Sequence, residues 1–364
     1  MKEASLLTQY REHRRRKLAV LLGLLLLDVA LTVLCLHAGY AGMSPWEVLK
    51  AFLGVGDQTN RTILWNIRMP RVLAAIIAGA GLAVAGCVMQ TVLKNPMASP
   101  STLGVSQAAV FGANFAIILL GAGAFHSTHG EAVSISNPYL VTGCAFLCAL
   151  GSTVLILLLS GRPSAGPSAG PGFSPETVVL AGVAVGSIFS AGTTVIQCFA
   201  LDTQVAAAVF WTFGDLGRAT YEKDLIMLLT VVLSLVFFLA NRWNYNALAS
   251  GEACARSLGV RTGPVRFVTL LLSSLICAVC VSFLGIIGFV GLVAPQAVRR
   301  FLGSDHRFLL PGSALAGAAL LLFADTLSRS LMAGISLPVG AITSLFGGPV
   351  FLWMLLRKKK GVRI

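Results

Sequence analysis

The chain has 364 residues, of which 56% are hydrophobic and 11% charged, whereas a soluble domain carries roughly 25% charged residues. A membrane protein is expected: about ten spans of roughly 20 residues each leave only short loops, which excludes a two-domain cytosolic enzyme and a secreted disulfide scaffold. The formal charge of +13 has to be placed relative to a bilayer before it is read as affinity for nucleic acid.

Residues 1–17 are a basic N-terminus in which Arg14, Arg15, Arg16 and Lys17 directly precede the first apolar run, 18–38, whose only charge is Asp28. No clear small-x-small cleavage site precedes Met43, so the run is read as a retained span. Uncharged stretches follow over 72–93, 95–130, 132–161, 177–201, 225–241, 267–298, 308–324 and 330–356. Backbone polar groups find no water in hydrocarbon, so helices are expected there. The stretch 267–302 is too long for one upright span, and Gly285, Gly288, Gly291 and Pro295 interrupt it, which gives one bent span or two, nine or ten in all. Charge bias decides between them. Ten spans put twenty basic residues inside and seven outside, while nine put 13 inside and 14 outside. The expectation is an all-α membrane protein with one ten-helix domain over 18–356, its longest inner loop over 242–266, a basic tail over 357–364 and both termini cytoplasmic. The basic excess is then mainly an orientation signal, assisted by anionic lipid at the inner leaflet, and nucleic acid is not implied.

No G-x-x-x-x-G-K-[ST] loop occurs, so nucleotide hydrolysis is not expected of this chain. His126, His129 and Glu131 cluster in an outer loop, read as solvated, and no metal is assigned. Cys277 and Cys280 form a C-x-x-C inside a span and are read as small packing residues. Gly79, Ala83 and Gly86 suit close helix contact, and Pro163 to Pro171 is a Pro/Gly/Ser/Ala linker.

Ionisable groups within a bilayer mark transport or proton relay, and only Asp28 and Asp325 qualify. Asp325 lies four residues before Arg329, so the two can pair along one helix face, which weakens the case for an ion-coupled secondary transporter. Arg68, Arg71 and Arg329 stand at the outer edge. Their guanidinium forks suit the carboxylates of an acidic partner, or they anchor the spans by snorkelling; both readings stay open. On the inner face, Gly251-Glu-Ala-Cys-Ala-Arg-Ser-Leu-Gly259 places Ala255 and Leu258 on one side of a short helix. It pairs Glu252 with Arg256 and stops at Gly259. Such a helix can seat in a partner's groove, or be a plain connection.

Together these landmarks resemble the permease subunit of ATP-binding-cassette importers for iron chelates, haem and cobalamin, the type II class with ten spans and an inverted repeat. The resemblance runs from about Pro45 to Leu356. It is carried by Ile67-Arg-Met-Pro-Arg71; Gly86-Cys-Val-Met-Gln90 with Lys94-Asn-Pro-Met-Ala-Ser-Pro100 and Leu103-Gly-Val-Ser106; and Leu180-Ala-Gly182. Further pieces are Gly251-Glu252 with Leu258-Gly259, Gly285-Ile-Ile-Gly-Phe-Val-Gly-Leu-Val-Ala-Pro295, Asp305-His-Arg307, Leu337-Pro-Val-Gly340 and Gly347-Gly-Pro-Val-Phe351. It implies that Arg68, Arg71 and Arg329 receive acidic residues of an extracytoplasmic binding protein. Gly251, Glu252, Ala255, Arg256, Leu258 and Gly259 would form the coupling helix against the ATPase, and Ser174 and Pro175 a cytoplasmic gate. It also implies a bacterial inner-membrane homodimer with two ATPase subunits, which bind ATP and Mg, while this chain binds no cofactor. The implied cargo is an iron chelate, a ferric siderophore before haem or cobalamin. Two positions depart from the family pattern: Ser99, where an acidic residue is common, and Gln296, where histidine is common.

Overall fold

The structure, a computed structural model, describes residues 2–38, 43–122, 137–161, 175–331 and 337–356. In chain order, α1 (Lys2–His37) leads to two short helices, α2 (Pro45–Phe52) and α3 (Gln58–Thr62). A π-turn over Ile63–Arg68 then runs straight into α4 (Met69–Val92). After a 3-10 turn over Pro100–Leu103 come α5 (Val105–Asn114), extended by a π-turn to Leu119, then α6 (Pro138–Ser160), α7 (Pro175–Cys198), α8 (Asp202–Thr212) and α9 (Tyr221–Ala240). Two short helices, α10 (Arg242–Ala249) and α11 (Glu252–Ser257), precede α12 (Thr262–Leu284), α13 (Val290–Leu302), α14 (His306–Ser330) and α15 (Val339–Leu356).

Seven of the described helices are long and apolar enough to cross a membrane. The shorter α5 with its extension, α13 and α15 bring the segments in the bundle to ten. Helix formation at several starts has a local cause. Ser44, Asn137, Thr220 and Asp305 each accept a backbone N–H of the first turn through the side chain, which satisfies donors a helix leaves open.

The bundle is organised around α4, in which 20 of 24 residues are buried. Its small residues allow this. Gly79 lies against the backbone of Gly317 in α14, and Gly86 against the backbone of Gly291 in α13, so a Cβ at either would overlap a carbonyl. In hydrocarbon, where apolar burial drives little association, such backbone contact supplies the packing energy.

The stretch 267–302 resolves into two helices, because Gly285 takes φ +81 and Phe289 φ +64, and both leave the helical region. α13, with 13 residues, reaches only about 20 Å at 1.5 Å per residue, short of the roughly 30 Å hydrocarbon core. The break at 285–289 therefore falls inside the bundle, where bare backbone needs partners. Residues 212–215 provide them. Ile286 N donates to Thr212 O at 3.2 Å, Asp215 N donates to Leu284 O at 2.8 Å, and Gly340 N at the start of α15 donates to Gly214 O at 3.3 Å. The non-helical backbone at 213–215 and 285–286 and the open first turn of α15 thus satisfy one another.

Candidate functional site

Polar side chains concentrate at the two ends of this bundle. At one end, the one the charge bias assigns to the outside, the π-turn and α4 bring Arg68 and Arg71 beside the last turns of α1 and α14. Asp325, with no exposed side-chain surface, receives Arg71 Nε at 2.6 Å and Arg329 Nη2 at 2.8 Å. Arg71 also lies 3.8 Å from Asp215. The last carbonyls of α1 have no helical partners. Arg68 donates to Leu36 O and His37 O, and Arg329 donates to Cys35 O and Ala38 O at 2.9 Å. Positive charge at a helix C-terminus is favourable, so the three arginines bind α1, α4 and α14 together.

Their setting is more enclosed than outer-edge arginines suggest: Arg68 is 3% and Arg71 9% exposed. Neither bulk solvent nor the bilayer interface receives these heads, as snorkelling would require. Arg68 Nη2 and Arg329 Nε are buried without a hydrogen-bond partner. The expected Asp325–Arg329 pair is present, and Arg71 joins it.

At the opposite end, α11 occupies the predicted short helix. Gly251 and Gly259 flank it at φ +124 and φ +82, conformations that glycine adopts without a Cβ penalty. Glu252 Oε1 accepts from Arg256 Nη2 at 2.8 Å, and its other oxygen lies 3.3 Å from Arg266 Nη2. Burial alone would push the Glu252 carboxyl up, but Arg266 and Arg256 outweigh it and hold the group below its ordinary value. Ala255 is fully buried, whereas Leu258 is 68% exposed. The sequence places the two on one side, but helical geometry ends at Ser257, and Leu258 turns outward at the C-cap.

Behind α11 lies a network that sequence reasoning missed. Arg266 of α12, only 1% exposed, donates from Nε to Val92 O at 3.1 Å. His306 contacts Thr91 Oγ1 through Nε2 at 2.9 Å and Asn246 Oδ1 through Nδ1 at 2.8 Å. Tyr245 and Thr269 share a hydroxyl hydrogen bond of 2.8 Å. The available signal was a charge at the edge of an uncharged run, which charge counting absorbs as orientation. Helix α8 was missed as well. It sits between two spans, and Arg218 closes it by donating to Phe210 O and Trp211 O.

Of the gate pair, Pro175 opens α7 while Ser174 lies outside the described residues, as do His126, His129, Glu131 and the Pro163–Pro171 linker. Along α7, Leu180, Val183, Ile188 and Val195 are all more than half exposed, an uncharged face left open among the described residues. Cys277 and Cys280 are buried free thiols. The two departures from the family pattern have local partners: Ser99 caps the 3-10 turn through Thr102, and Gln296 Nε2 donates to Gln90 Oε1 at 2.9 Å and to Pro96 O at 3.2 Å.

Comparison with known proteins places this architecture. The FecCD transport family matches residues 25–357. An ABC transporter permease protein of Methanocaldococcus jannaschii is 48% identical over 97% of this chain and 99% of that protein. The vitamin B12 import system permease protein BtuC of Salmonella typhi is 35% identical over 98% of this chain and all of that protein. A solved metal-chelate type ABC transporter in an inward-facing conformation superposes with a TM-score of 0.77 at 28% identity, over 94% of this chain and 100% of that chain.

Proposed function

This chain belongs to the FecCD transport family of ABC importer permeases, and from that premise we propose that it carries a metal chelate inward, powered by two ATPase subunits at its inner face and supplied by an extracytoplasmic binding protein at its outer face. The observation that carries this reading is α11: a short helix fixed on one side by Ala255 and the Glu252–Arg266 contact, with Leu258 left exposed. Buried on one side and bare on the other, it is shaped to seat in a groove of a second protein. Gly251 and Gly259 set its two ends, and Arg256 fixes Glu252 from the solvent side.

At the outer face, Arg68, Arg71 and Arg329 outnumber the carboxylates beside them, Asp325 and Asp215, so a net positive charge faces an acidic partner. Because the guanidinium groups are largely enclosed, the attraction is a field of the cluster more than a set of open forks. The exposed uncharged face of α7 pairs with a second copy of the chain, and cargo passes between the copies without being held, with Ser174 and Pro175 at the cytoplasmic exit. Both termini lie in the cytoplasm of a bacterial inner membrane. The ATPase subunits bind ATP and Mg, and this chain needs no cofactor of its own.

Ferric siderophore is the first cargo reading. Cobalamin is the second, favoured by the kinship with vitamin B12 permeases. The test is reconstitution in liposomes with the ATPase and binding protein, supplying labelled ferric siderophore, cobalamin and haem in turn. ATP-dependent accumulation of one of them supports the reading. Uphill accumulation by this chain alone under a proton or sodium gradient, abolished by Asp28→Asn, would replace it with ion-coupled transport.

A further inference from the structure

Both ends of α4 are tied to α14 by polar contacts, and the two helices run antiparallel between the faces. The outer tie is Arg71 Nε to Asp325 Oδ1 at 2.6 Å. The inner tie is Thr91 Oγ1 with Nε2 of His306, the first residue of α14, at 2.9 Å. Between them Gly79 and Gly317 meet backbone to backbone, with no space for a methyl group on either. Packed interiors shift between discrete arrangements and do not deform continuously, so a pair pinned at both ends and in contact between them moves as one body.

The inner ends of both helices lead on to the coupling segment. Arg266, which holds the carbonyl of Val92 in the last turn of α4, also contacts Glu252 in the first turn of α11 at 3.3 Å. Asn246 of α10 accepts from His306 N at 2.9 Å and lies 2.8 Å from its Nδ1. A buried guanidinium does not readily give up its acceptors, so displacement of α11 pulls on the end of α4.

We infer that α4 and α14 form a single strut, about 36 Å long for 24 residues at 1.5 Å each, which links the outer arginine cluster to the coupling helix, and that Arg266 and His306 are the positioning residues of its inner joint. The inference rests on the reading that a binding protein docks outside and an ATPase inside. It adds which parts of the chain carry the signal between them.

Linkage supplies the test, because nucleotide at the ATPase must change binding-protein affinity by the same factor as the binding protein changes nucleotide affinity. In the assembled complex in nanodiscs, binding-protein Kd is measured without nucleotide and with a non-hydrolysable ATP analogue plus Mg. A wild-type change of about tenfold or more is expected to fall below about twofold in Arg266→Met and in His306→Ala. Arg266→Lys, which can reach only one of the two acceptors, is expected to fall between. Should Arg266→Met fail to assemble, Glu252→Ala removes the same contact from its partly exposed side and is expected to behave alike. Variants that assemble and keep the full wild-type ratio overturn the strut while leaving the two-partner reading intact. A wild-type complex with no nucleotide effect at all, or one that does not form, overturns both.

Discussion

Arg71 of α4 and Asp325 of α14 meet at 2.6 Å, and the second oxygen of the same enclosed carboxylate takes Arg329 at 2.8 Å. One acidic group therefore balances two guanidinium groups where α1, α4 and α14 converge. Asp325→Asn leaves Arg329 enclosed without a counter-charge and Arg71 with only the more distant Asp215 at 3.8 Å, and removing one partner of a buried pair costs about 3–5 kcal/mol. A clear drop in the thermal unfolding midpoint of the purified permease in detergent is expected. A midpoint unchanged from wild type would mean that Asp325 does not hold the three helices together.

The crossing of α4 with α13 makes a second demand. A Cβ on Gly86 would overlap the carbonyl of Gly291, whereas one on Gly143 of α6 meets nothing within 4 Å. Gly86→Ala forces the helices apart and is expected to destabilise by about 1–3 kcal/mol, the usual cost of overpacking. Gly143→Ala is expected to be neutral or slightly stabilising, since alanine is the better helix former by about 1 kcal/mol. Monodispersity and thermal unfolding of the two variants check the contrast.

Thiol chemistry reads the α11 end of the bundle. Cys254 on α11 is exposed, while Cys87, Cys277 and Cys280 are buried. In a Cys198→Ser background, which removes the other exposed thiol, maleimide is expected to label Cys254 quickly and the buried thiols only on unfolding. Addition of the ATPase subunit is expected to slow labelling of Cys254 strongly, and an unchanged rate would count against α11 as the contact.

The junction before α14 has a defined acid limit. Burial pushes the Asp305 carboxyl up, but hydrogen bonds from Arg307 and Asn246 outweigh that and hold it at about 2. A folded-state value below the unfolded one, about 3.9 for aspartate, stabilises above the unfolded value and is lost as pH falls through the folded one. Amide-exchange protection of the first turn of α14, corrected for intrinsic exchange, is therefore expected to hold from pH 8 to 5. It should weaken only between about 4 and 2. Loss between pH 7 and 5 would contradict this account of Asp305.

What the sequence disclosed depended on the length scale of the signal. Charge-free runs marked the long spans, and the bias of Lys and Arg separated α12 from α13 where hydropathy alone could not. The four-residue spacing of Asp325 and Arg329 foretold their pair, and Glu252 to Arg256 likewise, because both lie within one helix. Contacts between distant elements left no local trace. Nothing near Arg266 announces Val92, 174 residues away, and nothing in 202–212 announces a helix that supports the break at Ile286. Arg68 and Arg71 were legible as arginines at the edge of a span, but their enclosure was not, since it depends on where α1 ends.

The mutual support of residues 212–215, 284–286 and 340 bears on how the protein is made. Each segment supplies what the others lack, and the last leaves the ribosome more than a hundred residues after the first. Until α15 has been inserted, the earlier two are an unfinished joint within the lipid. A chain cut short before Gly340 would keep its threading across the bilayer yet leave the carbonyl of Gly214 without its donor, a bare polar group in the bilayer interior.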